Sequence, residues 1–262
     1  YVVGASGSGK SSLVKGGLLP RLTRTENLDW CVFPAFRWNE LRPRGRDWAE
    51  QLALMLIAQW PESGTRPDPG ELRKHYLEAS LTADQAHDES ARARCRQNLT
   101  AVADRFIDDT KAMLRASGRT NALPLLVIDQ FEELFAAADD LTVTPFLQFL
   151  GCVLASPRTP WLCIATVRTD YLTAIQTRSE LLEWKDHTGI YSLPLMTEDR
   201  FYEVIRRPAE RVGILFEPET LVDRIVHDTG TRDSLPLLAF AMRQLHKRFS
   251  GDGKFTEKEY FD

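Results

Sequence analysis

The stretch that decides the fold is Gly4-Ala5-Ser6-Gly7-Ser8-Gly9-Lys10-Ser11, preceded by the apolar Tyr1-Val2-Val3 and followed by Ser12-Leu13-Val14. It fills the pattern G-x-x-x-x-G-K-[ST] with Gly4, Gly9, Lys10 and Ser11. Glycines let such a loop wrap with its N–H groups pointing inward around the β- and γ-phosphates of a nucleotide. The helix that follows adds its positive N-terminus. Lys10 supplies a mobile positive charge to the same phosphates, and Ser11 one oxygen to Mg²⁺. Ser6, Gly7, Ser8 and Ser12 complete the candidate phosphate-binding set. The context fits: Tyr1 to Val3 reads as the end of a buried strand, and Lys10 to about Leu19 as helix, with Pro20 near its end.

Outward from the loop, apolar runs alternate with helical patterns. Trp30 to Phe36 reads as a second strand, with Pro34 weakening its middle or marking an edge. Asp47 opens a helical run through Ile57, with Trp48, Leu52, Met55 and Leu56 at helical spacing. Pro61 to Gly70 is a loop. Glu71 to Ala116 is helical and highly charged, with a modest apolar face from Phe106 and Met113. Its almost wholly polar part, Ala83 to Arg96, reads as a solvated helix or a mobile insertion. Leu123 to Asp129 is a continuous apolar strand ending in an acid. Pro145 to Leu154 is a helix with Pro145 in its first turn, Trp161 to Val167 a buried strand, Leu172 to Trp184 a helix and Ile190 to Leu195 a last strand. Strands separated by helices predict an α/β fold, a parallel sheet covered on both faces.

After Leu195 the pattern is helical only. Thr197 is placed as an N-cap with Glu198 and Asp199 in the first turn. Pro218 is placed at N1 of the next helix, which Gly230 closes. A third helix carries Leu237, Leu238, Ala241, Leu245 and Phe249. The boundaries expected are therefore 1–195 for a nucleotide-binding domain, with a mostly helical insertion over 61–118, and 196–262 for a helical subdomain.

Composition narrows the function classes. The 262 residues are 43% hydrophobic and 27% charged, ordinary values for a globular chain that can bury a sizeable core. A formal net charge of −4 gives no global argument for nucleic-acid or membrane binding. No apolar run approaches the ~20 residues of a membrane span. Cys31, Cys95, Cys152 and Cys163 form no C-x-x-C pair and have no histidine at ligand spacing, which argues against a metal site or disulfide framework. Four reduced-looking thiols fit a cytoplasmic setting. The chain does not begin with Met and opens inside a strand, as a piece of a longer protein would.

Three further motifs carry chemistry. Asp129 sits at the tip of its strand and continues as Gln130-Phe131-Glu132-Glu133-Leu134-Phe135. A strand-tip carboxylate beside the phosphate loop is what Mg²⁺ requires, which assigns Asp129 that role. A further acid would orient the attacking water, and Glu132 and Glu133 are both candidates. Either is equally a solvated helix-start carboxylate. In Thr166-Val167-Arg168-Thr169-Asp170, Arg168 leaves the C-terminal end of a buried strand, the edge where ligands bind in open α/β sheets. It would reach the γ-phosphate and report hydrolysis, or else cap the strand as a surface arginine. Ser234-Leu235-Pro236-Leu237-Leu238 opens a helix and, alone, says only that a proline starts it.

Together these residues resemble the STAND class of signalling P-loop NTPases, relatives of the NACHT and NB-ARC switches. The nearest resemblance is to the bacterial branch running G-x-S-G-S-G-K-S-S-L, then D-Q-F-E-E-L-F, then a strand-end arginine followed by an acid. The resemblance implies a three-layer core with parallel strand order 5-1-4-3-2, as in AAA+ proteins, followed by a helical lid. It implies ATP or ADP as ligand, with Pro236 touching the adenine. Ser234 stands where that lid motif usually has glycine. It further implies self-assembly into a homo-oligomer on activation, and effector and repeat sensor domains flanking the core. The leading expectation is a regulatory ATPase acting as a slow switch. The alternatives are a scaffold that retains ADP with negligible turnover, and a remodelling motor. The motor would need an arginine acting in trans, such as Arg206, Arg207 or Arg211, which equally form a solvated helix face.

Overall fold

The computed structural model describes residues 1–25, 27–62, 65–77, 89–136, 140–182, 184, 188–229, 235–249, 251 and 253–261. Their contacts group into two compact units. One comprises Tyr1–Val3 and Ser11–Tyr191, the other Gly4–Lys10 and Ser192–Asp262.

The first part of the chain alternates strand and helix. It runs β1 (Val2–Gly4), α1 (Lys10–Ser12), a π-helical turn (Leu13–Leu18), α2 (Leu19–Leu22), β2 (Trp30–Val32), α3 (Trp48–Gln59), α4 (Pro69–Leu77), α5 (Glu89–Ala116) and β3 (Leu123–Ile128). It continues through α6 (Glu133–Ala136), α7 (Asp140–Ala155), β4 (Leu162–Arg168), α8 (Leu172–Thr177), α9 (Ser179–Leu182) and β5 (Tyr191–Ser192). The sheet is ordered β2-β3-β4-β1-β5, which read from the β5 edge is 5-1-4-3-2. Parallel pairing sets Cys31 beside Pro124, and Val127 beside Ile164. Gly16 and Gly17 fall in the π-helical turn.

Strand alternation sorts the apolar side chains onto two faces. Val3, Cys31, Leu126, Ile128, Ala165 and Val167 join the large core with α3, α5 and α7. Val2, Leu125, Val127 and Ile164 pack with Val14, Leu19 and Leu22 in a smaller one. Leu-Pro-Leu-Leu-Val-Ile of β3 reads as an unbroken apolar run because a strand buried on both faces needs no polar side.

Several elements depart from the expected bounds. The second strand stops at Val32. Phe33 still donates to Leu125 O (3.0 Å), and Phe36 rejoins by donating to Val127 O (2.7 Å) and bridging Ile128. Pro34, without an N–H, lies in the gap on this edge strand. Pro145 lies inside α7, which begins at Asp140; the helix had started a turn before the residue that seemed to start it. The run from Leu172 breaks after Thr177, where Arg178 is extended (ψ 122°). The last strand is only Tyr191–Ser192.

The apolar face of α5 is larger than its charge suggests. Leu99, Val102, Ala103, Phe106, Ile107, Met113 and Leu114 are buried. Phe106 meets the rings of Tyr76, Phe149 and Trp161 at 5.1–5.5 Å. Residues 83–88 of the polar stretch, and the side chains of 89–96, lie outside the described residues.

In the second unit follow α10 (Glu198–Arg211), β6 (Leu215–Glu217), α11 (Leu221–Thr229), α12 (Leu235–Phe249), β7 (Lys254–Thr256) and α13 (Glu257–Phe261). Phe201, Ile205, Ile214, Leu221, Ile225, Leu238, Leu245 and Phe255 form its core. This unit is not helical only: β6 and β7 pair in parallel, setting Phe216 beside Phe255. Three-residue strands carry too little alternation to show in the sequence. Thr197 is extended, as an N-cap is, but its hydroxyl makes no capping bond. Pro218 precedes α11 rather than opening it, its carbonyl accepting from Leu221 N (2.9 Å). Gly230 and Ser234 lie outside the described residues.

Candidate functional site

Asp129 follows β3 directly, and its N–H donates to Phe36 O (2.9 Å). Its carboxylate is 0% exposed and hydrogen-bonded at both oxygens. Oδ1 accepts from Ser11 Oγ (2.5 Å) and Thr166 Oγ1 (2.8 Å). Oδ2 accepts from Lys15 Nζ (2.6 Å) and from Arg37 through Nε (3.0 Å) and Nη2 (2.8 Å). Burial alone would push this carboxyl upward. The bonds from Lys15, Ser11, Thr166 and Arg37 outweigh it and hold the group well below the usual carboxylate range. Asp129 is therefore ionised at every ordinary pH.

Local geometry delivers each partner. Ser11 lies in α1, and Lys15 is four residues on, one helical turn away and on the same side. Thr166 is in β4, the neighbour of β3. Its Oγ1 also accepts from Gln130 N (2.9 Å), and its carbonyl from Phe131 N (2.9 Å). Gln130 has φ 59°, a left-handed turn that redirects the chain from the strand tip into Phe131-Glu132-Glu133.

The two acids after that turn face different partners. Buried Glu132 accepts from Arg168 N (3.2 Å) through Oε2. Glu133 accepts from Asn39 N (2.9 Å), tying it to the short 3₁₀ turn Trp38–Glu40. Burial pushes the Glu133 carboxyl above its ordinary value. The Asn39 N–H and Arg37 oppose that shift, while Glu132 and Asp129 add to it. Arg168 does end β4, but its guanidinium makes a two-point pair with Asp170 (3.0 and 2.7 Å) and lies 5.7 Å from the Tyr171 ring centre.

The glycine-rich loop, described within its own unit, is tightly wound. Gly7 and Gly9 have φ of 70° and 89°, conformations glycine adopts without strain. A side chain at Gly4 would come within 2.7 Å of Ser8 Oγ and 3.2 Å of Leu193 O. Lys10 Nζ donates to the loop's own carbonyls, Gly4 O (3.0 Å) and Ala5 O (2.7 Å). Ser8 Oγ is buried without a hydrogen-bond partner among the described residues, an orphan that a phosphate oxygen would satisfy. Ser6 and Ser12 are exposed. A side chain at Gly9 would touch Leu235 at 3.7 Å, so the residue before Pro236 approaches the loop. Pro236 itself is exposed.

The family model for novel STAND NTPase 1 matches residues 1–262. The chain belongs to the novel STAND NTPase 1 family. A STAND NTPase binds nucleotide through a P-loop, and the family in general hydrolyses it. A comparison with curated proteins gave no significant match. Among the described residues no helix is long and apolar enough to cross a membrane, and no three His, Cys, Asp or Glu side chains gather as a metal cage. A P-loop site for Mg²⁺ needs no such cage, because phosphates and waters complete the shell around one or two protein oxygens. The hard oxygens of Ser11 and Asp129 in this STAND NTPase fit that requirement.

Two site residues were missed by sequence reasoning, and a third was quoted without a role. Lys15 is visible once Ser11 is placed on a helix, as its i+4 neighbour. Arg37 directly follows the expected strand Trp30 to Phe36, so the criterion that selected Arg168 would have found it. Thr166 stands in the Thr-Val-Arg-Thr-Asp motif, where nothing in the sequence marks its hydroxyl as a partner of Asp129.

Proposed function

We propose that this STAND NTPase is a regulatory ATPase that binds ATP with Mg²⁺, hydrolyses it slowly and acts as a cytoplasmic switch within a larger multidomain protein. The observation that carries this reading is the 2.5 Å bond between Ser11 Oγ and the fully buried Asp129. It joins the last residue of the phosphate-loop motif to the strand-tip acid, the pair that holds the metal in P-loop NTPases. The N–H groups of Gly4 to Gly9 and the Lys10 ammonium hold the β- and γ-phosphates, with Ser6, Ser8 and Ser12 as hydroxyl donors. Ser11 and Asp129 hold Mg²⁺, which when bound neutralises charge on the transferring phosphate. Glu132 or Glu133 orients the attacking water, Arg168 senses the γ-phosphate, and Pro236 of a helical lid contacts the adenine. The last two roles and assembly into a homo-oligomer lean on the family.

Lys10→Ala should abolish nucleotide binding in a calorimetric titration. Glu132→Gln should leave affinity within about twofold while lowering phosphate release by ~10²-fold or more, the usual range for a general base. A variant that turned over at the wild-type rate would shift the role to Glu133.

A second reading, a scaffold that keeps ADP and scarcely turns over, is favoured by one observation. Glu132 and Glu133 are both bonded to backbone N–H groups, and Arg168 to Asp170. Copurifying ADP with negligible phosphate release would select it. A remodelling motor gains nothing from Arg206 and Arg207, which pair with Glu219 and Glu203 on their own unit's surface.

A further inference from the structure

Asp129 Oδ2 receives three N–H donors from two cations, Lys15 and Arg37. Oδ1 is taken by the two hydroxyls. A carboxylate offers about four lone-pair sites in all, so this one is saturated by side chains. A divalent cation or its bound water can engage Oδ2 only by displacing a donor. Two positive charges already sit there, and their repulsion of a third cation is strong at these distances.

The two donors differ in what else can hold them. Lys15 rides on the helical segment that carries Ser11. Arg37 comes from the strap after β2, fixed by the Phe36 bonds to Val127 and Asp129. Its side chain is 33% exposed, and its Nη1 already lies 3.5 Å from Glu40, an exposed carboxylate whose other oxygen meets Arg44 at 3.4 Å. A short rotation toward Glu40 would keep the guanidinium paired and clear Oδ2.

We propose that Arg37 is a positioning residue of the phosphate site: it competes with the divalent cation for Asp129, swings to Glu40 when the cation wins, and so sets the Mg²⁺ concentration that nucleotide binding requires. The proposal rests on the nucleotide reading above and adds a regulated metal requirement to it.

The test is ATP affinity by calorimetry across a Mg²⁺ titration from chelator to millimolar, on folded protein verified by circular dichroism. Arg37→Gln should lower the half-saturating Mg²⁺ about fivefold or more, the effect of removing one competing charge. Arg37→Lys, which keeps the charge but loses the two-point fork, should fall between. Glu40→Gln removes the second resting place and should move the requirement the other way, upward. Opposite shifts from Arg37→Gln and Glu40→Gln are not produced by simple structural damage. Unchanged half-saturation in Arg37→Gln, or a downward shift in Glu40→Gln, overturns the proposal while leaving the nucleotide reading intact. Absence of ATP binding to the wild-type chain at any Mg²⁺ concentration overturns both.

Discussion

Thr166 shows how one side chain joins two parts of the site. Its hydroxyl donates to Asp129 Oδ1 and accepts from the N–H of Gln130, the residue in the left-handed turn. Thr166→Val keeps the shape and removes both bonds, leaving a buried N–H unpaired. It should cost about 1–3 kcal/mol in denaturant unfolding. A smaller loss would mean the turn holds without that hydroxyl. Glu133 gives a second prediction at this scale. Its folded-state value is raised, so ionisation opposes folding. That penalty is absent below the ordinary carboxylate range and grows as pH rises through the raised value. Glu133→Gln keeps an acceptor for Asn39 and should therefore raise Tm relative to wild type at neutral pH. The difference should shrink as pH falls below the ordinary carboxylate range, where the side chain is protonated both folded and unfolded. A difference independent of pH would assign the effect to packing instead. The sequence made Asp129 legible because an apolar run ends on an acid. It did not reveal Lys15 or Arg37, since a lysine on a helix and an arginine after a broken strand look like solvated residues until Asp129 is placed between them.

At the scale of elements, α5 is the segment whose sequence and structure differ most. Phe106 and Met113 promise only a modest apolar face, yet every third or fourth position from Leu99 to Leu114 is buried. Phe106 contacts three other aromatic rings there. Phe106→Ala should cost about 3–5 kcal/mol, the usual range for a buried aromatic; a surface helix would lose far less. Urea unfolding measures the difference. Charged residues dominate composition on a long helix even when one stripe is apolar, so an averaged impression hides the stripe that periodicity exposes. By contrast β3 was legible almost to the residue, because a strand buried on both faces carries nothing but apolar side chains. The short β6–β7 pair was illegible for the opposite reason. Leu215 and Glu217 are exposed, and a three-residue strand gives no period to read. Proline misled twice: Pro145 and Pro218 look like helix starters, yet one lies within its helix and the other ahead of it.

At the scale of the molecule, the chain is an α/β sheet of order β2-β3-β4-β1-β5 and a second unit with its own apolar core. Within the first unit, Asp129 and Arg168 leave the carboxyl ends of β3 and β4, and Arg37 comes from the strap after β2. That edge is where parallel α/β sheets bind ligands, and membership of the STAND NTPases makes nucleotide the ligand to test. The most direct measurement is a calorimetric titration of ATP with Mg²⁺ into the wild-type chain and into Lys10→Ala. Saturable binding by the wild type and its loss in Lys10→Ala is the predicted result. Equal affinity in the two, or no binding by either, would contradict a phosphate-holding loop at Gly4 to Ser11.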